Sequence, residues 1–254
     1  MILLNEIMNK LIYILIFGCC AFAGGVCAQW QESSPEAFSK LILETESRIA
    51  ANTSYSFATD YFFYNQPDSR ETVLKMHGQM ICEKGKSYFM NQFDRWNAQD
   101  DKLNVTCDTA ERVMILKDVD TQSNARKQTA DFSAFIKSGC KVKQQETTGL
   151  TKFYLEFAPG GTYKAVEIWI KPDKLVERYI LYAGQAIEED TPDGGTRMIT
   201  PKLEIHYRDY KFGKEVPVKN MRRVSEFVEL RDGKYILTPA YQGFELIDLR
   251  IQKR

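Results

Sequence analysis

Residues 55–63 are Tyr-Ser-Phe-Ala-Thr-Asp-Tyr-Phe-Phe, and this stretch decides the fold class. From Tyr55 to Phe63 every second residue is aromatic or β-branched, which is the period of a half-buried β-strand. The same period returns in residues 72–82, after the turn-forming residues 65–69. The two segments therefore predict a pair of antiparallel strands joined by a hairpin.

Further segments with a period of two follow along most of the chain. Arg231-Asp232-Gly233 carries a turn signal between two of the last ones, which predicts a hairpin near the C-terminus. The expected strands after residue 82 are 87–91, 103–107, 112–118, 151–157, 166–170, 175–181, 203–207, 223–230, 234–238 and 244–250. Roughly ten consecutive strands predict one large antiparallel sheet, which has to curl, close or split into layers.

Two short helices are expected beside this sheet. Ser34 is a suitable N-cap, Pro35 suits the first helical position, and apolar residues then recur at helical spacing as far as Ala51. A second helix is expected over residues 131–138. Two helices are too few for a parallel α/β fold. The prediction is a mainly β (α+β) fold: a single strongly curved antiparallel sheet, an open half-barrel, with a few short helices covering the concave side.

The N-terminus has the features of a secretory signal. Lys10 precedes a short apolar run, and Val26-Cys27-Ala28 places small residues before a cleavage site. The run is interrupted by glycines and is shorter than the roughly 20 residues that span a bilayer. We therefore expect residues 1–28 to be a signal peptide and residues 29–254 a single periplasmic domain. The alternative is a lipoprotein anchored by Cys19, because Ile16-Phe17-Gly18-Cys19 loosely matches a lipidation pattern.

Charge and motifs exclude several functions. The chain has 34 basic and 34 acidic residues, so it offers no electrostatic basis for binding nucleic acid. It lacks the sequence patterns of a nucleophile elbow, a phosphate-binding loop or a zinc protease. Its two histidines, His77 and His206, fall on the polar sides of predicted strands. We expect no enzyme activity, no cofactor and no metal.

Three cysteines remain after the signal peptide, namely Cys82, Cys107 and Cys140. An oxidising compartment allows one disulfide among them. Cys82 and Cys107 both fall on predicted strands, so they are the expected pair. The alternative is that all three are small buried apolar residues.

The order of elements resembles the LolA/LolB superfamily of periplasmic lipoprotein carriers and receptors. The resemblance runs from the helix at Pro35 through Tyr55-Ser56-Phe57 and Lys86-Ser87-Tyr88-Phe89 to Pro201-Lys202-Leu203-Glu204-Ile205. It covers about residues 35–216 and rests on element order and apolar pattern rather than on an invariant motif. Residues 217–254 continue past the usual carrier length as a C-terminal β extension.

The resemblance implies a cavity that holds acyl chains between the sheet and its helices. The expected lining is one aromatic and methionine-rich side of the first strands: Tyr55, Phe57, Tyr61, Phe63, Met76, Met80 and Tyr88. A dense core has the same alternation, so both interpretations stay open for each residue. The expected function is non-enzymatic binding or transport of lipid or lipoprotein acyl chains, in outer-membrane biogenesis. The alternative is an envelope scaffold or sensor module that binds a protein partner, with the extra hairpin as its docking edge.

Overall fold

The computed structural model of the protein describes residues 29–119, 139–191 and 193–250. The predicted signal peptide and the predicted helix over residues 131–138 lie outside these residues. The described elements are, in chain order, β1 (Gln31–Ser33), α1 (Pro35–Ala50), β2 (Ser54–Tyr64), β3 (Leu74–Glu83), β4 (Ser87–Gln92), β5 (Arg95–Gln99), β6 (Leu103–Asp108), β7 (Val113–Asp118), β8 (Lys141–Thr147), β9 (Leu150–Glu156), β10 (Tyr163–Ile170), β11 (Val176–Ala183), β12 (Ile187–Asp190), β13 (Thr196–Ile199), β14 (Lys202–Phe212), β15 (Val228–Arg231), β16 (Lys234–Leu237) and β17 (Glu245–Asp248).

Helix α1 begins where the sequence predicts. The Ser34 hydroxyl accepts a hydrogen bond from the Ala37 N–H at 3.1 Å, which satisfies one of the free donors at the start of the helix. Pro35 occupies the first turn, where its missing N–H costs nothing. Phe38 and Ile42, four residues apart, are buried and turn this side of the helix toward the sheet.

Among the described elements, thirteen strands form one curved sheet, in the order β1-β8-β9-β10-β11-β14-β2-β3-β4-β5-β6-β7-β17. Neighbouring strands are antiparallel except β17, which runs parallel to β7. Within the described residues the end strands β1 and β17 are not paired with each other, so the sheet is open. The predicted fold class, one large curved antiparallel sheet with helical cover on one side, is confirmed.

The sheet buries apolar side chains on both of its faces, but in different places. On the side of α1, the helix face, strands β8 to β11 pack against Phe38 and Ile42 in a group that we call the helix core. On the other side, the opposite face, strands β3 to β7 pack against the chain that follows residue 213 in a second group, the C-terminal core. The more deeply buried face of the sheet is therefore the helix face at β8 to β11 and the opposite face at β4 to β7. Strand β3 lies between these regions and buries side chains on both faces.

The C-terminal extension supplies the layer that covers the second core. Met221, Val224 and Phe227 are at most 4% exposed and face the sheet. The segment before β15 was expected to be a strand from residue 223. It is instead a 3-10 turn over Val224–Glu226, because its buried residues lie three apart. Strands β15 and β16 form the expected hairpin, as a separate two-stranded sheet.

The expected disulfide is wrong. Cys82 lies on β3 and Cys107 on β6, with β4 and β5 between them. Three strand spacings are about 14 Å, beyond the roughly 7 Å between Cα atoms that a disulfide allows. Cys82 also faces the helix side, whereas Cys107 belongs to the C-terminal core. All three cysteines, Cys140 included, are free and buried, as the alternative interpretation expected.

Candidate functional site

The seven residues predicted to line a cavity all lie on the helix face of β2, β3 and β4. Cross-strand pairing places Phe57 opposite Met80 and Tyr61 opposite Met76. Cys82 is paired with Tyr55 on one side and with Tyr88 on the other. Since paired residues project to the same side of a sheet, these pairs establish a single face.

Burial divides these seven residues into two groups. Tyr55, Met80 and Tyr88 are at most 9% exposed and pack with Cys82 into a compact group, which we call the tyrosine cluster. Tyr61 is 7% exposed and contacts the ring of Phe93, with ring centroids 4.7 Å apart. These four are packed residues of the fold.

The remaining three, Phe57, Phe63 and Met76, are only half-buried. Leu203 and Ile205 on β14, which pair with Phe63 and Tyr61, are half-buried as well. We call this half-buried group the apolar strip: Phe57, Phe63, Met76, Leu203 and Ile205. It lies on the central strands of the sheet, between the helix core and the polar side chains of β5 and β6.

Phe57 is surrounded by tyrosine rings because of a bulge in β14. The pairing of β14 with β2 shifts between Arg208 and Lys211, and Asp209 in this interval has a φ of +56°. Asp tolerates this left-handed conformation better than most residues. Tyr207 and Tyr210 would project to opposite faces of a regular strand, and the shift brings both to the helix face. There their ring centroids lie 5.6 and 5.5 Å from that of Phe57.

The tyrosines on the helix face are uncharged at neutral pH. Burial raises the pKa of Tyr55, Tyr61, Tyr207 and Tyr210 above the ordinary phenol value. A neutral phenol keeps an apolar ring beside a hydrogen-bonding hydroxyl. The arrangement can therefore contact apolar chains without placing a charge against them.

A surface groove of about 610 Å³ lies elsewhere, on the outward side of α1. It is lined by Glu36, Ser39, Lys40, Leu43, Glu44, Ser47 and Lys174. Leu43 is 60% exposed there. None of the seven predicted residues lines this groove, which is formed mainly by the outward side of α1.

No protein-family model and no curated protein matches the chain. Several solved structures are similar to it, among them three of low identity. A LolA superfamily protein from Nitrosomonas europaea is 11% identical, with a TM-score of 0.30, over 73% of this chain and 97% of that one. A DUF1329 family protein from Desulfovibrio piger is 12% identical, with a TM-score of 0.33, over 71% and 94%. The lipoprotein LppX from Mycobacterium tuberculosis is 11% identical, with a TM-score of 0.33, over 70% and 96%.

The two histidines lie on the opposite face in side-chain pairs. His77 contacts the Asp60 carboxylate, and His206 lies 3.3 Å from a carboxylate oxygen of Glu204. Among the described residues no group of three or more His, Cys, Asp and Glu side chains is arranged to hold a metal ion. In the same part of the chain, no helix has the length and apolar character that a membrane crossing requires.

Sequence reasoning missed a polar group on the helix face of β5 and β6. Asn97, Gln99, Asn104 and Thr106 lie together there and share hydrogen bonds. The signal was present in the alternation of polar and apolar residues along Arg95–Gln99 and Leu103–Asp108. It was missed because Arg95–Gln99 was not expected to be a strand, so its polar side had no predicted neighbours on a sheet.

Proposed function

We propose that the protein is a periplasmic, non-enzymatic binder or carrier of lipid or lipoprotein acyl chains. The observation that supports this most directly is the apolar strip. Its side chains lie on the face that α1 covers, yet they keep part of their surface exposed. Exposed apolar groups that form a continuous surface are characteristic of binding sites.

The contrast with the neighbouring strands supports a binding role for the strip. On β9 and β10, Leu155, Val166 and Ile168 are fully buried within the helix core. The same face on β2 and β14 leaves Phe57 and Ile205 half-buried. Covering this remaining surface with an acyl chain releases roughly 0.8 kcal/mol for each buried CH₂ group. Such binding needs no covalent chemistry, which agrees with the absence of catalytic motifs from the sequence.

The periplasmic location is part of the proposal and rests on residues 1–28. Cleavage after Ala28 would leave Gln29 as the first residue, two positions before β1. N-terminal sequencing or the intact mass of the exported protein tests this. A diacyl-modified Cys19 would instead make the protein a membrane-anchored receptor with the same binding face.

Native mass spectrometry of protein extracted gently from the cell envelope tests the binding function. The expected result is a bound mass that organic solvent removes and that fragments as a lipid. Purified protein is also expected to bind the fluorescent apolar probe diphenylhexatriene and to release it on addition of a long-chain ester. A well-folded protein that binds neither lipid nor probe would contradict the proposal.

The alternative scaffold function requires the C-terminal hairpin, β15 and β16, to have an edge that is free to bind a partner protein. Tyr235 and Leu237 of β16 pack against the C-terminal core, so the hairpin serves as an internal cover. The ends of the main sheet are the short strands β1 and β17, and short edge strands pair poorly with other chains. Recovery of a stoichiometric protein partner without lipid would nevertheless favour the scaffold function.

A further inference from the structure

The helix face changes from apolar to polar between β4 and β5. Asn97, Gln99, Asn104 and Thr106 form a group that we call the polar patch. The Asn97 amide donates to the Thr106 hydroxyl at 2.8 Å, and the Asn104 amide lies 3.0 Å from the Gln99 carbonyl oxygen. All four side chains are half-buried.

The composition of the polar patch differs from that of the exposed sheet surface in this protein. The opposite face of β3 and β14 carries charged groups, such as Lys75 and Arg208, in contact with solvent. The four positions of the polar patch are all uncharged. Arg95, the next residue on this face of β5, is neutralised by Asp108 at 2.8 Å. An uncharged, half-buried group of amides is suited to recognising a neutral hydrogen-bonding molecule.

The Asn104 amide nitrogen is shared among several oxygens of the patch and of its neighbour Tyr88. The Asn104 amide nitrogen lies 3.0 Å from each of three oxygens, those of Tyr88, Asn97 and Gln99. An amide NH₂ group has two hydrogens, so it cannot satisfy three acceptors at once. A carbonyl oxygen has two lone pairs, so the Gln99 side chain can accept a hydrogen bond from a ligand hydroxyl in addition to its bond from Asn104.

Tyr88 connects the polar patch to the apolar part of the same face. Its ring lies in the tyrosine cluster, and its hydroxyl accepts a hydrogen bond from Asn104. The adjacent row of paired residues runs from Phe57 through Met80 and Met90 to Asn97 and Thr106. The row crosses four strand spacings, which places the strand of Phe57 about 19 Å from the strand of Thr106. The apolar strip and the polar patch thus lie on the same face of the sheet, with the buried tyrosine cluster between them.

We propose that the polar patch holds the uncharged, hydroxyl-bearing head group of an amphiphile whose acyl chain lies on the apolar strip. This inference rests on the proposed lipid-binding function and specifies the ligand class. Hydroxyl groups both donate and accept hydrogen bonds, as amides do. A head group without hydroxyls would cover these half-buried amides without replacing their hydrogen bonds to water, which lowers affinity.

Two ligands with the same chain test this inference, namely monomyristoylglycerol and methyl myristate. Each displaces diphenylhexatriene from the purified full-length protein, and the dissociation constants are compared. The wild-type protein is expected to bind monomyristoylglycerol about tenfold more tightly, the value of one well-made hydrogen bond. Gln99→Met and Asn104→Leu are expected to remove this preference by weakening monomyristoylglycerol binding about tenfold.

Gln79→Met is the matched control, because Gln79 is an exposed glutamine on the opposite face of β3. It is expected to keep the preference. Equal affinity of the wild-type protein for the two ligands would overturn the inference while leaving the proposed function intact. Failure of both ligands and of the probe to bind would overturn both. Myristate, which has the same chain and a negatively charged carboxylate, is measured as a third ligand. If it binds more tightly than monomyristoylglycerol, the inference is overturned, because the exposed Lys117 beside Asn104 is then selecting a negative charge.

Discussion

Met80 and Ile81 are consecutive residues of β3, and their side chains belong to two different hydrophobic groups on opposite faces of the sheet. Met80, 3% exposed, lies in the tyrosine cluster, and Ile81, 0% exposed, lies in the C-terminal core. A strand buried on both faces loses the alternation of polar and apolar residues. The chain therefore uses β3 to join the proposed binding face to a second core that the C-terminal extension completes.

The first prediction is that the C-terminal extension is required for stability. Phe227 is fully buried and stacks on Trp96, with ring centroids 3.8 Å apart. Phe227→Ala is expected to lower the free energy of unfolding by about 3–5 kcal/mol, because it leaves a cavity. Chemical denaturation measures this change. Leu230→Ala is the control, since Leu230 is 61% exposed and its loss is expected to cost less than about 0.5 kcal/mol. Equal effects of the two substitutions would contradict the prediction.

The sequence predicts the central strands well because one face of these strands packs against apolar groups and the other lies among polar side chains. Residues 55–63 alternate since one side of β2 faces the helix and the other faces polar side chains. The pattern fails where burial is two-sided, as in Met80-Ile81-Cys82, and where a turn supplies core residues, as at Val224 and Phe227. The strand pattern alone does not reveal which residues on the helix face are fully packed. Their packing depends on residues distant in sequence, such as Phe212.

The second prediction concerns the thiols. Burial raises the pKa of the Cys107 thiol to about 11 and raises those of Cys82 and Cys140 as well. Since the thiolate is the reactive form, the folded protein is expected to react slowly with a thiol reagent at pH 8. In protein without residues 1–28, all three thiols are expected to react rapidly after unfolding in denaturant without reductant. Intact mass spectrometry counts the labels. A loss of two mass units with a single labelled thiol would reveal a disulfide and contradict the structure.

The third prediction concerns the acid stability of the opposite face. The Arg208 guanidinium, with a further contribution from His77, lowers the pKa of Asp60 to about 2. An aspartate in the unfolded chain titrates near 4. Its ionised form therefore stabilises the folded state above about pH 4, and this contribution disappears as the pH falls toward 2.

Asp60→Asn tests this pH dependence. At pH 7 it is expected to lower the free energy of unfolding by about 1 kcal/mol, a modest value because Arg208 and His77 are largely exposed. The difference from wild type is expected to shrink between pH 4 and pH 2. Asp68→Asn, in the exposed turn after β2, is the control and is expected to have little effect at either pH. A constant difference across this range would show that Asp60 acts by some means other than its charge.

The last prediction separates the binding surface from the packed core. Phe57 is half-buried in the apolar strip, whereas Met80 opposite it is 3% exposed. Phe57→Glu is expected to abolish diphenylhexatriene binding, because it sets a charge against an apolar ligand. The melting temperature is expected to fall by only a few degrees, since the new carboxylate reaches solvent. Met80→Glu is expected to cost several kcal/mol and to unfold the protein, because its carboxylate is buried without a partner.

Phe62→Glu provides the control on the same strand. Phe62 is also a half-buried phenylalanine of β2, but it projects to the opposite face, where its ring lies 4.7 Å from that of His206. The same substitution there is expected to preserve probe binding. Circular dichroism melting and probe titration of the three variants make the comparison. If Phe57→Glu and Phe62→Glu weaken binding equally, the helix face is not the binding surface. If Phe57→Glu unfolds the protein as Met80→Glu does, Phe57 belongs to the packed core, and the acyl chain must bind elsewhere.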